Sequence, residues 1–331
     1  MRIPGPFERT LWQFVWGRNP LTLGIIAVLP HPRVDRPIFI LGSPRSGTSV
    51  FSRLFGQHPQ LANWSEGHCL FDPMYFSRTT EHRWTDEDAS WIGSRRLRAN
   101  VGYFTKYMRF RQRLPICRFT NKLPRNTLRV PYLLKAFPDA QFVHIIRDGR
   151  AVVRSMIRAV ERQSKQDRVL GAFARPPGWQ DYYQKDPYEA HSRQWVGIES
   201  TVQQDLAAIP ADRIFRTRYE EFIIRTRGIM KDVCEQFGLR TDDKAINRWP
   251  EHLENRNVKW SRECSPEQIE TMRAWLTPLL IEYGYVQDVD WPVPNPDDKV
   301  GMTQNQATTS SDPAAGTAEK PTTPVPAASD T

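Results

Sequence analysis

Apolar and polar positions along this chain fall into short, sharply bounded runs. Ile38-Phe39-Ile40-Leu41, preceded by Pro37 and closed by Gly42, is wholly apolar and of strand length. That is the pattern of a parallel strand buried on both faces. Gln141–Ile146 reads as a second strong strand, and Leu61–Trp64 and Arg213–Thr217 read as further strands. Between them the apolar period lengthens. Ser49–Phe55 reads as a helix ending near Gly56 and His58-Pro59. Gly149–Glu161, Ala190–Leu206 and Glu220–Phe237 also read as helices, and Gly238 closes the last of these. Pro266–Tyr283 reads as a final helix capped by Gly284. Residues 72–118 are polar, Arg-rich and aromatic and predict mostly helices with loops, whereas the breakers in 171–188 predict a loop. Strand, loop and helix alternating over about 250 residues predict an α/β fold, with a central parallel sheet covered by helices on both faces. Ligands of such sheets sit at the carboxyl ends of the strands.

The two ends read differently. Trp12, Phe14 and Trp16 precede the apolar run Leu21–Leu29. Residues 1–34 are therefore either an arm packed on the body or an interfacial anchor touching a membrane through residues 7–29, with Arg9 and Arg18 beside it. A signal peptide fits poorly, because the apolar stretch is bounded by prolines. No apolar run reaches the roughly 18 residues of a spanning helix. After Pro292 the composition turns to Thr, Ser, Ala, Pro and Asp, so 295–331 is expected to be a disordered tail. Residues 35–294 remain as the folded domain.

Composition narrows the partners. The chain of 331 residues is 39% hydrophobic and carries a formal charge of +9. The tail contributes −3, so the body carries +12, which suits an anionic partner. Cys69, Cys117, Cys234 and Cys264 are widely spaced, with no C-x-x-C pair and no His at zinc spacing. A structural metal and a disulfide framework are both unexpected, and a reducing compartment is expected.

The candidate chemistry follows the two strongest strands. Gly42-Ser43-Pro44-Arg45-Ser46-Gly47-Thr48-Ser49 links the first strand to its helix with the G-x4-G spacing of a P-loop, so the expected architecture is the P-loop-type three-layer fold. Gly47 allows close backbone approach, and successive N–H groups at a helix N-terminus cradle an anion. Ser46, Thr48 and Ser49 add hydroxyls, and Arg45 adds a cation. Thr48 stands where a nucleotide hydrolase needs Lys, and no acid is convincingly placed to hold Mg²⁺, which argues against ATP or GTP hydrolysis. After the second strong strand comes Arg147-Asp148-Gly149-Arg150, then Arg154 and Ser155. Asp148 can N-cap the next helix, and Arg147 and Ser155 can converge on a second anion.

These two segments together resemble the sulfotransferases that use 3′-phosphoadenosine 5′-phosphosulfate (PAPS). Three more segments fit in order: Asn121-Lys122-Leu123-Pro124, the run Phe137–Asp148, and Arg218-Tyr219-Glu220-Glu221-Phe222. The likeness covers about residues 36–285 and is greatest to the tyrosylprotein and bacterial branch. It implies that Pro44, Arg45, Ser46, Gly47, Thr48 and Ser49 grip the 5′-phosphosulfate. It implies that Arg147 and Ser155 grip the 3′-phosphate, that Tyr219 adds a contact there, and that the region of Asn257, Lys259 and Trp260 closes over the nucleotide. PAPS is then the donor and adenosine 3′,5′-bisphosphate the product, with no metal required. Glu66 or His68 is the base that takes the acceptor's proton, Glu66 being favoured, while Arg45 and Lys122 stabilise the developing charge.

The acceptor is expected between the nucleotide motifs, where Trp84, Trp91, Tyr103, Trp179 and Tyr183 alternate with arginines. A glycan, a glycolipid and a protein tyrosine all remain open as the hydroxyl acceptor. The expected location is the cytoplasm, with membrane association through the arm. Two other readings stand beside this one: a P-loop kinase or NTPase, and a non-catalytic basic binder of nucleotide or nucleic acid. No nucleic-acid motif accompanies the spread basic residues, so nucleic acid is not expected as a partner.

Overall fold

The computed structural model describes residues 30–67, 71, 82–85, 87, 91–113, 117–162, 173–254 and 259–291, with the backbone alone at 91–93, 112, 243 and 259. The chain divides into two units at Val293–Pro294, and all described residues belong to the first. The expectations for residues 1–29, His68, Asn257, the Lys259 side chain and the 295–331 tail lie outside the described residues.

Among the described residues, five strands form one parallel sheet in the order β2-β3-β1-β4-β5. They are β1 (Ile38–Leu41), β2 (Leu61–Asn63), β3 (Arg118–Lys122), β4 (Gln141–Ile146) and β5 (Ile214–Arg218). The strand order reverses around β1, so its carboxyl end opens onto the crevice where ligands of such sheets bind. Alternate residues of β1 face opposite layers. Phe39 and Leu41 pack with α2 (Trp91–Gln112), α3 (Val130–Ala136) and α5 (Pro187–Ala207). Ile38 and Ile40 pack with α1 (Thr48–Phe55), α6 (Tyr219–Ile224) and α7 (Thr226–Gln236). This is the three-layer arrangement expected. A third cluster joins α4 (Gly149–Glu161) to Trp195 of α5, to Trp260 of α9 (Lys259–Glu263), and to α10 (Pro266–Glu282). The short α8 spans Asp243–Ile246.

Two elements differ from the sequence reading. β3 falls at the edge of a region read as helix and loop, yet it occupies the sheet between β2 and β1. Its sequence, Arg-Phe-Thr-Asn-Lys, is mostly polar, and all five residues are buried. Such a strand survives burial when its polar groups are bonded. Arg118 Nη1 donates to Phe237 O at 2.7 Å, and Asn121 Nδ2 to Trp64 O at 2.6 Å. Burial also lowers the Arg118 guanidinium to a pKa of about 10. The helix read over 220–237 is two helices, broken at Arg225, whose φ of −118° and ψ of 43° are not helical.

Candidate active site

The phosphate loop leaves β1 through Gly42, whose φ of 146° a side chain rarely adopts; a Cβ there would come 2.5 Å from Ile145 O. Thr127 Oγ1, from the turn after β3, accepts from Gly42 N at 3.0 Å and donates to Gly42 O at 3.1 Å. Arg45 (φ 70°) and Gly47 (φ 87°) are both left-handed. They turn the loop into the N-terminus of α1, where Gly47 is the N-cap. Gly47 is required for a second reason, because a Cβ would lie 2.3 Å from the Tyr219 ring. Ser46 is fully buried, and its Oγ has no hydrogen-bond partner among the described residues. An orphaned hydroxyl inside a left-handed cradle fits an anion as the missing acceptor.

The second anion segment meets this loop directly. Asp148 caps α4, accepting from Arg150 N at 2.9 Å, as the sequence suggested, and it also binds the Arg150 guanidinium. Arg147 is buried and donates from Nη1 to Arg45 O at 2.6 Å. Its guanidinium lies 4.3 Å from the Tyr219 ring centre, a cation–π contact. Desolvation pulls the Arg147 pKa below its ordinary value, partly offset by Tyr219, Glu220 and Asp148. Arg45 Nε donates to Ser155 Oγ at 3.1 Å. Arg45, Gly47, Thr48, Ser49, Arg147, Ser155 and Tyr219 therefore line one cavity of about 450 Å³, with Trp260 in its wall. Pro44 and Ser46 belong to the same loop but are not among the residues that line this cavity.

Arg154, Arg158 and Arg162 extend the basic wall along α4 at a spacing of four. Glu263 answers them, pairing with Arg154 Nε at 3.1 Å and Arg158 Nη1 at 2.8 Å. None of these three arginines, nor this carboxylate, was read as a site residue from the sequence. The signal for them was the four-residue repeat on the helix that carries Ser155.

Glu66 and Lys122 come together at the neighbouring strand ends. Ile40 of β1 pairs with Lys122 in register, and the Glu66 amide donates to Lys122 O at 2.8 Å. The Lys122 ammonium, buried, forms a salt bridge with the Glu66 carboxylate, which is half exposed. Glu66 holds a left-handed backbone (φ 57°), strained for a non-glycine residue. Neither residue lines the cavity described above; they stand beside it, on the same carboxyl edge of the sheet.

A glycine loop after the switch-point strand of a parallel sheet, joined in one cavity by Arg147 and Ser155 from the neighbouring strand–helix unit, puts this site at the carboxyl ends of the strands. Residues 37–243 match the model of the Sulfotransferase family, and the chain belongs to that family. It is similar to protein-tyrosine sulfotransferase A of Caenorhabditis elegans, at 21% identity over 245 residues, covering 72% of this chain and 59% of that protein. It is also similar to protein-tyrosine sulfotransferase 1 of Danio rerio, at 25% over 219 residues, covering 64% and 56%. The chain thus spans about half the length of the curated relatives it matches. Among solved structures, sulfotransferase STF9 from Mycobacterium avium aligns with a TM-score of 0.49 at 16% identity, covering 78% of each chain.

Proposed function

We propose that this chain transfers a sulfuryl group from PAPS to an acceptor hydroxyl. One observation carries the reading. Two segments 102 residues apart, Arg45 and Arg147, are hydrogen-bonded to each other in one cavity. A linear triphosphate needs one extended cradle, with a Lys in it and a metal-binding acid. Two separate cationic seats suit a nucleotide charged at both its 5′ and 3′ positions. The loop amides, Arg45, Ser46, Thr48 and Ser49 would hold the 5′-phosphosulfate, and Arg147, Ser155 and Tyr219 the 3′-phosphate.

The reaction breaks the bond between sulfur and the bridging phosphate oxygen and forms one between sulfur and the acceptor oxygen. The acceptor's proton goes to Glu66. The bridging oxygen leaves with its electron pair as adenosine 3′,5′-bisphosphate. Lys122 orients the Glu66 carboxylate, and its buried charge adds to that of Arg45 at the sulfuryl oxygens. The relatives' names support a protein tyrosine as the first acceptor to try, ahead of glycans and glycolipids.

The test is turnover. The protein is incubated with PAPS and, separately, tyrosine peptides, glycans and glycolipids, and both released adenosine 3′,5′-bisphosphate and sulfated product are quantified. Stoichiometric formation of the two with one acceptor class, lost in Glu66→Ala, is the expected result. Donor bound tightly but transferred to no hydroxyl would overturn the proposal.

A further inference from the structure

Helix α10 ends in a paired closure. Gly284 is left-handed (φ 67°), its amide donates to Ile281 O at 2.8 Å, and that of Tyr285 donates to Leu280 O at 2.8 Å. This closure reverses the chain abruptly. It is the left-handed φ that calls for glycine here, since a Cβ on Gly284 would meet only the flexible end of the Arg218 side chain. The effect of the closure is to send two neighbouring phenols, Tyr283 and Tyr285, to two different carboxylates.

Tyr283 OH donates to Glu199 Oε2 at 3.2 Å. Glu199 is fully buried beneath the phosphate loop. Its Oε1 accepts from Ser43 Oγ at 2.6 Å and Ser43 N at 3.3 Å, and its Oε2 bonds His144 Nε2 at 3.0 Å. Ser43 is the second residue of the loop. Tyr285 OH donates to Glu220 Oε2 at 2.8 Å, and Glu220 Oε1 accepts from Asp148 N at 3.3 Å. Asp148 follows Arg147 directly and caps the helix that carries Ser155. One three-residue turn therefore reaches both anion seats, each through a single carboxylate.

We propose that Tyr283-Gly284-Tyr285 is a strap that positions the two halves of the anion site, Tyr283 acting on the phosphate loop through Glu199 and Tyr285 on the Arg147 seat through Glu220. Each carboxylate holds a backbone amide of its seat with Oε1, Ser43 N or Asp148 N, and each phenol fixes the same carboxylate's Oε2. Losing the phenol's hydrogen bond frees the carboxylate to shift, and the seat with it. Burial, followed by the facing carboxylates, raises both phenol pKa values, so the hydroxyls keep their protons wherever the protein is folded. Neither tyrosine lines the cavity, so both are positioning residues.

The strap rests on the nucleotide reading for the identity of the ligand, and its test keeps the two apart. Full-length wild type, Tyr283→Phe and Tyr285→Phe are titrated by calorimetry with adenosine 3′,5′-bisphosphate and with adenosine 5′-phosphate, which lacks the 3′ group. Tyr285→Phe is expected to raise the Kd of the bisphosphate about tenfold and to leave that of the 5′-phosphate within about twofold. Tyr283→Phe is expected to weaken both nucleotides by a similar factor. General loosening of the fold would not produce that split. If Tyr283→Phe fails to fold, the ratio in Tyr285→Phe decides alone. Wild-type affinities in both variants, or equal losses for both nucleotides in Tyr285→Phe, would overturn the strap. A wild type that binds neither nucleotide would instead sink the nucleotide reading, and the strap with it.

Discussion

Breaking the Glu66–Lys122 pair from its two sides should have unequal costs. The Lys122 side chain is 2% exposed and that of Glu66 is 51% exposed. Glu66→Ala strands a buried ammonium. Losing one partner of a fully buried pair costs about 3–5 kcal/mol, and the half-exposed carboxylate reduces that to about 2 kcal/mol here. Lys122→Met leaves a half-exposed carboxylate that water can solvate, and it keeps the buried methylenes, so about 0.5 kcal/mol is expected. For a domain of this size 1 kcal/mol moves the melting point by about 2–4 °C. Glu66→Ala should therefore lower Tm by about 4–8 °C and Lys122→Met by no more than about 2 °C. Glu66→Gly should melt at or above Glu66→Ala, because glycine relieves the left-handed strain, worth about 1 kcal/mol. Both Glu66→Ala and Lys122→Met should lose about 10²–10³ in turnover. Their affinity for adenosine 3′,5′-bisphosphate should be unchanged, since the pair stands outside the cavity. Thermal melts of the three variants, with calorimetry in parallel, check this. A Lys122→Met variant melting below Glu66→Ala would refute the burial argument, and a nucleotide Kd shifted more than about tenfold in Glu66→Ala would refute the division of the site.

Two further outcomes follow from buried polar groups. Ser46→Ala removes a hydroxyl that has no partner among the described residues, so the ligand-free protein should melt no lower than wild type while nucleotide affinity falls about tenfold; a drop in Tm with unchanged affinity would show a structural role only. Burial, with Arg125, Arg129 and Arg175 adding to it, lowers the His82 pKa to about 2, and burial lowers that of His191 to about 4. The unfolded chain takes up these protons below about pH 6.5 and the folded chain does not, so stability is full above that pH and falls as acid is added, by about 1.4 kcal/mol per histidine at pH 5.5. Urea midpoints at pH 7.5 and 5.5 measure the loss, which His191→Phe should reduce; equal midpoints in wild type would contradict it.

Most of the sheet was legible in the sequence because β1 is a continuous apolar run and β4 an apolar run broken only at Gln141 and His144, as strands covered on both faces require. β3 hid because its burial is carried by hydrogen bonds: Arg118 and Asn121 reach carbonyls on distant segments, which no local pattern encodes. The phosphate loop and Arg147–Ser155 were readable since each lies within one strand–turn–helix unit. Lys122 and Glu66 were singled out only through the family resemblance, not by any local pattern of their own. Their salt bridge depends on β3 entering the sheet beside β1, so it was not readable. Glu199 went unnoticed, although a trace was available. It lies four residues after Trp195 and three before Val202, a lone carboxylate on the buried stripe of α5. His144 likewise interrupts an otherwise apolar strand core. A polar residue inside an apolar pattern needs a partner, and here the two are each other's.

The nucleotide itself gives the most direct test. Melting curves are recorded with adenosine 3′,5′-bisphosphate and, side by side, with ATP and GTP in Mg²⁺. At 100 times its dissociation constant a ligand adds about 2.7 kcal/mol, equivalent to about 5–10 °C in a domain of this size. Selective stabilisation by the bisphosphate is the result predicted from a cavity with two cationic seats and Thr48 in place of Lys. Stabilisation by ATP or GTP, with none from the bisphosphate, would contradict it and return the loop to the kinase class.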